Sequence, residues 1–535
     1  MLTLHGLFAF ELVCYLTVTL LLVRLFFDHL HRRTQETSFN GPPSPSWLFG
    51  VSKLLAQSSD SASLYERWSE KYGLVYTISA TLGKSCLVLC DPKAVQHFYS
   101  GDTYGYVQTS ATRALVKSMF GHCVLWAEGA THKRHRKALV PAFSPAAIKA
   151  MLPIFYDSAH KVKSAWDSIL AAEAPDSNST IIDVQEWMNR ASFDTFGIAG
   201  FGHDFGTLRG EPSTIFRIVD AFITMRPGLA GSLQIVLGLV FPWTLKLPTA
   251  FRRLGDQLDA NLGEIAREVL ASSRTDEGTE GNTGDRSIMG VLLRAEKSDS
   301  QMNMSTNEIL AQMKVMMIAG YITTANCLMW CLVELAQKPE LQNKLRQEVS
   351  QIPCEDATWD QLVDGLPYLD AVIHETLRLH PPMGETTRVA TADDIIPLSY
   401  STKTATGAVT DRISVSKGQL ITVPIHTMNT SCRFWGSNAK EFHPERFLGD
   451  KSGIMKDLPG HKHILTFVYG PRMCYGRNFA ITEMKAMLAV LVCSFAFEMV
   501  DGPNAEVGVI GGLLSVPVIA DGDGKTIPLR VRRLE

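Results

Sequence analysis

One stretch constrains this chain more than any other. In FVYGPRMCYGRNFA, residues 467–480, a single cysteine, Cys474, stands between glycines, with an arginine two residues before it and a helix-like run after it. Gly470 and Gly476 permit backbone turns that a Cβ would oppose, so the chain can pass close beneath a flat macrocycle with its amides turned toward sulfur. Amide donors and iron both favour thiolate over thiol. Arg472 is placed to reach a carboxylate of such a macrocycle, which its planar fork matches. The ordinary alternative is a buried free cysteine in a glycine turn. The whole pattern F-x-x-G-x-R-x-C-x-G is met at Phe467, Gly470, Arg472, Cys474 and Gly476, and it selects a haem-thiolate loop over that alternative.

The chain has 535 residues, 46% of them apolar. Length alone suggests several domains of ~150 residues, and composition does not tell these from one large domain. A net charge of -3, from 51 basic and 54 acidic residues, leaves no electrostatic footprint for nucleic acid. The ten cysteines show no paired zinc-type spacing, which points to a reducing compartment. Cys86 with Cys90 and Cys327 with Cys331, each pair four apart, read as core filler.

Residues Leu7 to Phe27 form an apolar segment of spanning length, with Glu11 near its start, Arg24 near its end, and His31, Arg32 and Arg33 following. A retained anchor with its basic flank in the cytosol is expected. A cleaved signal peptide competes with it, but that fate would carry ten unpatterned cysteines into an oxidising space. Gly41-Pro42-Pro43-Ser44-Pro45 is too proline-rich for a helix and predicts a stiff, extended spacer. The expected organisation is therefore a transmembrane anchor over 1–27, a basic flank and proline-rich hinge over 28–46, and a catalytic domain over 47–535.

Beyond the hinge, Leu74 to Ala80 and Ser85 to Leu89 predict a β-hairpin, and Asp91-Pro92 opens a helix. Helical periodicity then dominates. Ser272 to Asp285, SSRTDEGTEGNTGD, predicts an exposed mobile loop. Leu229 to Trp243 is apolar but too short to span a bilayer; it suits either a segment dipping into the membrane surface or a buried helix.

Glu375 and Arg378, in LPYLDAVIHETLRLHPP, lie three apart on one face of a helix closed by Pro381-Pro382. Alone they would be an ordinary surface pair. With Pro444-Glu445-Arg446-Phe447 and the cysteine loop downstream, the chain resembles the cytochrome P450 family of haem-thiolate monooxygenases, most closely its fungal, membrane-anchored members, from about Pro42 to Val518. The resemblance implies a single, mainly α domain with a small β region and haem b (iron protoporphyrin) held by Cys474 as axial iron ligand. It also implies electrons from NADPH through NADPH-cytochrome reductase, with a cytochrome b-type donor as a further candidate. The expected location is the endoplasmic reticulum membrane, with a single-pass anchor and the catalytic domain facing the cytosol. By the same resemblance, Glu375, Arg378 and Arg446 form a buried structural triad that holds the cysteine loop. GATHKRHRKALVPAF, from Gly129, is similar to the family helix carrying W-x-x-x-R, with His132 in the tryptophan slot and Arg136 in the arginine slot as a propionate partner. Some of Lys133, Arg134 and Lys137 must then form a solvated basic face. Arg388, in ETTRVATADD, matches a third family arginine that approaches the haem.

The oxygen-activation motif is matched by Ala319-Gly320-Tyr321-Ile322-Thr323-Thr324, with Ile322 in the acidic slot. Small Ala319 and Gly320 are expected to leave room over the ring, and Thr323 to hydrogen-bond back to a carbonyl and open a groove for dioxygen and water. Activating dioxygen requires protons, and Ile322 cannot relay one. With no Asp or Glu between Met313 and Trp330, ordered water, Thr323, Thr324 or the substrate must serve. The expected function is a monooxygenase that hydroxylates or otherwise oxidises a lipophilic, terpenoid-like molecule of fungal secondary metabolism. Phe120, Phe222, Met225 and the hairpin-like Leu513 to Val518 suggest the apolar lining. An isomerase or dehydratase needing no external dioxygen is the alternative that Ile322 raises, and a non-catalytic haem carrier is a third. Asn178, Asn303 and Asn429 head glycosylation sequons that a cytosolic domain would leave unused.

Overall fold

The computed structural model describes residues 37–534, apart from residue 59, the stretches 174–177, 281–287, 298–302, 353–356, 450–456, 511–513 and 520–525, and most positions between 212 and 248. The expected anchor, Phe222, Met225 and all of Leu229 to Trp243 except Gly231 lie outside the described residues.

The expected mainly helical architecture is observed. The helices that build the site are α1 (Ser61–Tyr72), α2 (Pro92–Ser100), α3 (Gly129–Leu139), α4 (Pro145–Glu173), α5 (Val184–Phe201), α6 (Ala250–Glu280), α7 (Thr306–Gln337), α8 (Pro367–Leu379) and α9 (Arg477–Ser494). Their starts are written in capping residues. Asp60 accepts from the Ser63 N–H at 2.9 Å and Asp91 from the Ala94 N–H at 3.1 Å, with Pro92 in the first turn as expected. Ser305 and Glu308 form a capping box at the start of α7.

A five-stranded sheet lies beside the helices, in the order β1 (Val75–Ser79), β2 (Ser85–Leu89), β5 (Leu420–Val423), β4 (Thr386–Ala390), β3 (Tyr106–Val107). The predicted hairpin is β1–β2, with Val75 opposite Leu89. A second antiparallel pair, β7 (Val507–Ile510) with β8 (Val516–Ile519), includes the C-terminal part of the hairpin-like stretch. No helix forms between Asn40 and Ser46, and the two ends of this stretch lie against the sheet. The Thr77 N–H donates to the Asn40 carbonyl at 3.2 Å, and a Cβ on Gly41 would lie 1.6 Å from the Thr77 carbonyl oxygen, so only glycine fits there.

Helix α7 runs through the centre, packed on α5 on one side and against α8, α9 and β6 (Phe495–Met499) elsewhere. It is the one described helix long and apolar enough to cross a membrane, yet 78% of its most apolar window is buried inside the protein, as befits a core helix. Both four-apart cysteine pairs are buried. Asn429 is buried too, with both ends of its amide bonded to protein, so its sequon has no free acceptor.

The predicted loop over Ser272 to Asp285 is corrected. Helix α6 continues to Glu280, and residues 281–285 lie outside the described set. Its polar residues have the composition of a loop, but Glu, Arg and Ser tolerate a helix that has already been nucleated, and extending one is far easier than starting one.

Between α9 and α5, Glu483 is buried, and Ser192 stands beside it. Burial pushes this carboxyl from its ordinary 4.5 up to about 8, with Ser192 opposing the shift. The folded protein thus keeps a proton that the unfolded chain releases above its lower value. Its contribution is neutral below that value and becomes unfavourable as pH climbs toward 8. Glu483→Gln is expected to be more stable than wild type at pH 8, by up to about 4 kcal/mol, and equal to it near pH 4.5. Thermal melts across this range check the difference, and a gap independent of pH would contradict it.

Candidate active site

The cysteine loop begins at Phe467, whose carbonyl accepts from the Cys474 N–H at 2.9 Å, closing the turn. Gly470 sits at φ 74°, and a Cβ there would lie 2.2 Å from the Tyr99 carbonyl oxygen of α2, so glycine is required. Gly476 is different: its φ is −79°, and a Cβ would meet only ordinary contacts, 3.8 Å from the Cys474 sulfur and from Phe143. The expected backbone need for glycine at 476 is therefore corrected. What glycine does there is keep a methyl group away from the sulfur.

The side chain of Cys474 is accessible, although protein packs densely around it. That desolvation pushes the thiol up, while the Gly476 and Arg477 amides and the Arg136 and Arg477 guanidiniums pull it down. The amides are turned to the sulfur, as expected. Arg136, on α3, brackets the cysteine through its neighbours: it donates to the Met473 carbonyl at 2.7 Å and its guanidinium lies 5.6 Å from the Tyr475 ring centroid.

The expected carboxylate-binding residues converge. His132 is buried, and desolvation together with Arg472, Arg136 and Arg388 pushes it down to about 3, so the imidazole is neutral with one N–H to donate. Two carboxylates missed in the sequence sit among these cations. Buried Asp102 accepts from Arg388 Nε and Nη2 at 3.1 Å each and from Arg472 Nε at 3.3 Å. Glu128, immediately before α3, accepts from Arg472 at 2.5 Å. A turn such as SGDTYG gives Asp102 no distinguishing mark; the one signal was that several buried arginines need anions.

The triad is formed as the resemblance implied. Arg378 forks onto Glu375 at 2.7 and 2.8 Å, and Arg446 Nε reaches Glu375 at 3.4 Å. Both members of the Glu375–Arg378 pair are fully buried. Arg378 also donates to the backbone carbonyls of Asn429, at 2.9 Å, and Ala439, at 2.6 Å. The Asn429 side chain then accepts from the Leu465 N–H and donates to Thr466, both at 2.9 Å, and Phe467 follows directly. Asn429 is thus the unforeseen link between triad and cysteine loop.

On α7 the Thr323 hydroxyl donates to the Ala319 carbonyl at 2.9 Å, as expected. Ala319 is exposed and Thr323 half-buried, so the two share an accessible helix face. Gly320 and Thr324 do not belong to it. A Cβ on Gly320 would lie 2.2 Å from the Phe196 ring of α5, and Thr324 is buried with its hydroxyl turned to the Gly320 carbonyl. The room that glycine leaves is taken by Phe196, not by a cofactor. Ile322 is buried. Phe196 also packs on Phe479 of α9, 5.5 Å between ring centroids, so one aromatic contact joins α7 at Gly320 to the helix that follows the cysteine loop. These residues fit an iron porphyrin. They offer an accessible sulfur bonded by amides, a cationic cluster for two carboxylates, and a helix face whose small Ala319 leaves space.

Glu375→Gln is expected to leave Arg378 as a poorly compensated buried charge, costing about 3–5 kcal/mol and preventing haem retention, read by haem absorbance of purified protein. Asn429→Ala should keep the triad but cost about 1–3 kcal/mol and give partial haem occupancy. Asp102→Asn is expected to speed haem transfer to a scavenger protein, because Arg388 and Arg472 lose the carboxylate that orients them.

A profile described as cytochrome P450 matches residues 40–507. Cytochrome P450 monooxygenase claP of Ampulloclitocybe clavipes is 46% identical over 523 residues, covering 97% of each chain. From the same fungus, cytochrome P450 monooxygenase claU is 45% identical over 511 residues, covering 95% of this chain and 94% of its own. Cytochrome P450 monooxygenase 128 of Postia placenta is 32% identical, covering 92% of each. With the thiolate loop, the buried triad and the cationic cluster in place, this chain belongs to the cytochrome P450 family and is a haem-thiolate monooxygenase.

Proposed function

We propose that this monooxygenase oxidises a lipophilic, terpenoid-like substrate of fungal secondary metabolism at the endoplasmic reticulum membrane, with electrons delivered from NADPH by NADPH-cytochrome reductase. The similarity to fungal relatives along nearly their whole length supports the setting. The apolar segment Leu7 to Phe27, followed by His31, Arg32 and Arg33, supports a single-pass anchor with the catalytic domain in the cytosol. One observation carries the substrate class: Ala319, on the same accessible face of α7 as Thr323, and Met383, 43% exposed in the loop after α8, are accessible and offer no charge.

When bound, the haem supplies dioxygen activation, and the residues of the chain set its terms. Cys474 would ligate the iron with its sulfur damped by the Gly476 and Arg477 amides. Arg136, Arg388, Arg472 and His132 would hold the propionates. Proton movement falls to Thr323, whose hydroxyl is on the accessible face, with water as its partner; Ile322 has no proton to give, and buried Thr324 is turned away. Ile322 is also what favours the second reading, an isomerase or dehydratase independent of external dioxygen.

Incubation with reductase, NADPH and isotopically labelled dioxygen separates the two: label in the product supports oxygenation, and unlabelled product formed without NADPH would contradict it. Ile322→Glu is expected to raise the product formed per NADPH consumed, at a cost in thermal stability because position 322 is buried. No gain would mean that Thr323 and water already suffice.

A further inference from the structure

Upstream of the cysteine loop, the turn His461 to Ile464 closes with the Ile464 N–H donating to the His461 carbonyl at 3.2 Å. Lys462 and His463 both sit in the left-handed region, at φ 51° and 68°, a conformation costly for residues other than glycine. Such a turn persists only where its surroundings hold it. Leu465, Thr466 and the cysteine loop follow it directly.

What holds it is Asp370, in the first turn of α8. Its carboxylate accepts from Lys462 Nζ on one side and from Lys485 Nζ, at 2.9 Å, on the other. Lys485 is buried in α9 and also donates to the Val363 carbonyl at 2.8 Å. One side chain thus joins the turn before the sulfur to the helix after it. Burial would raise the Asp370 carboxyl, but His374, Lys485 and Lys462 hold it well below the ordinary carboxylate range. The backbone carbonyl of Asp370 can only accept, so its 2.7 Å contact with His374 puts the proton on Nδ1 and leaves Nε2 to accept from His461 Nε2 at 3.3 Å. His461 stands near Arg477: burial and, next, that guanidinium push it down to about 3, so its ring is neutral. Arg477 in turn lies 3.7 Å from the Met473 sulfur and helps to pull the Cys474 thiol down.

We propose that Asp370 is a positioning residue for the thiolate: by clasping Lys462 and Lys485 it fixes the left-handed turn beside Arg477 and keeps Cys474 in register as an iron ligand. The inference rests on the reading of this site as a haem-thiolate active site. The clasp is separate from the Glu375 triad, which reaches the loop through Asn429. Asp370 acts only through these neighbours, and no bond is made or broken.

The test uses the full-length haem protein, reduced under carbon monoxide, and follows the rate at which the red-shifted Soret band converts to an unshifted one on mild warming. Asp370→Asn keeps the size of the side chain and removes its charge. It is expected to bind haem but to lose the shifted band about tenfold faster than wild type, as the loss of one charged hydrogen bond would give. Lys462→Met should accelerate the loss as well, and adding it to Asp370→Asn should bring little further acceleration, because both remove the same contact. Ile182→Ala, a cavity in the strand Ser179–Asp183, which shares none of these contacts, should lower the melting temperature and leave the rate as it is. Conversion of Asp370→Asn at the wild-type rate would overturn the proposal. So would equal acceleration in Ile182→Ala, which would make the effect one of general stability. If Asp370→Asn fails to fold with haem, Lys462→Met, which leaves buried Lys485 paired, decides by the same two outcomes. Wild type without any red-shifted band would refute the haem-thiolate reading itself, a result distinct from the others.

Discussion

The structure depends on one buried ion pair. Glu375 and Arg378 lie one turn apart on α8 with no solvent contact, and such a pair is tolerable only because every remaining donor and acceptor is used. Arg378 spends its other N–H groups on the Asn429 and Ala439 carbonyls, and Glu375 accepts from the His443 N–H at 2.9 Å as well as from Arg446. The fork therefore fixes three separate pieces of backbone. Through Asn429 it fixes a fourth, Leu465 and Thr466, from which the cysteine loop departs. The sulfur that would hold iron is located by hydrogen bonds that begin in α8, a helix with no chemical role of its own.

A second constraint is charge balance at the loop's flank. Arg136, Arg388 and Arg472 gather around a neutral His132, and Asp102 and Glu128 offset part of that charge. Asp102 bridges Arg388 and Arg472 and Glu128 holds Arg472, so these two guanidiniums stay together in spite of their mutual repulsion. The helix dipole at the start of α9 adds to the same field beneath the cysteine. Glycine enters the design at few places. Gly470 allows the loop to touch the α2 backbone, and Gly320 allows α5 to press Phe196 against α7.

Much of this was legible in the sequence where a pattern carried its own mechanism. The F-x-x-G-x-R-x-C-x-G run located Cys474, the three-residue spacing placed Glu375 and Arg378 on one face, and Asp91-Pro92 announced α2. What escaped was whatever depends on long-range partners. Nothing local marks Asp102 or Asn429, which matter only because distant arginines and a distant loop converge on them. Gly320 was read from its neighbours as cofactor space, but the helix turns it 100° from Ala319, toward Phe196. The polar end of α6 has the composition of a loop, and the cooperativity that extends the helix through it leaves no local mark.

Everything the protein does rests on Cys474 holding a haem iron through its sulfur. Its most direct test is the reduced, carbon monoxide-bound absorption spectrum of membranes containing the full chain, beside the same preparation of Cys474→Ala. A strongly red-shifted Soret band in the wild type, lost in the variant while folded protein remains, is the predicted result. An identical spectrum in both would contradict the account.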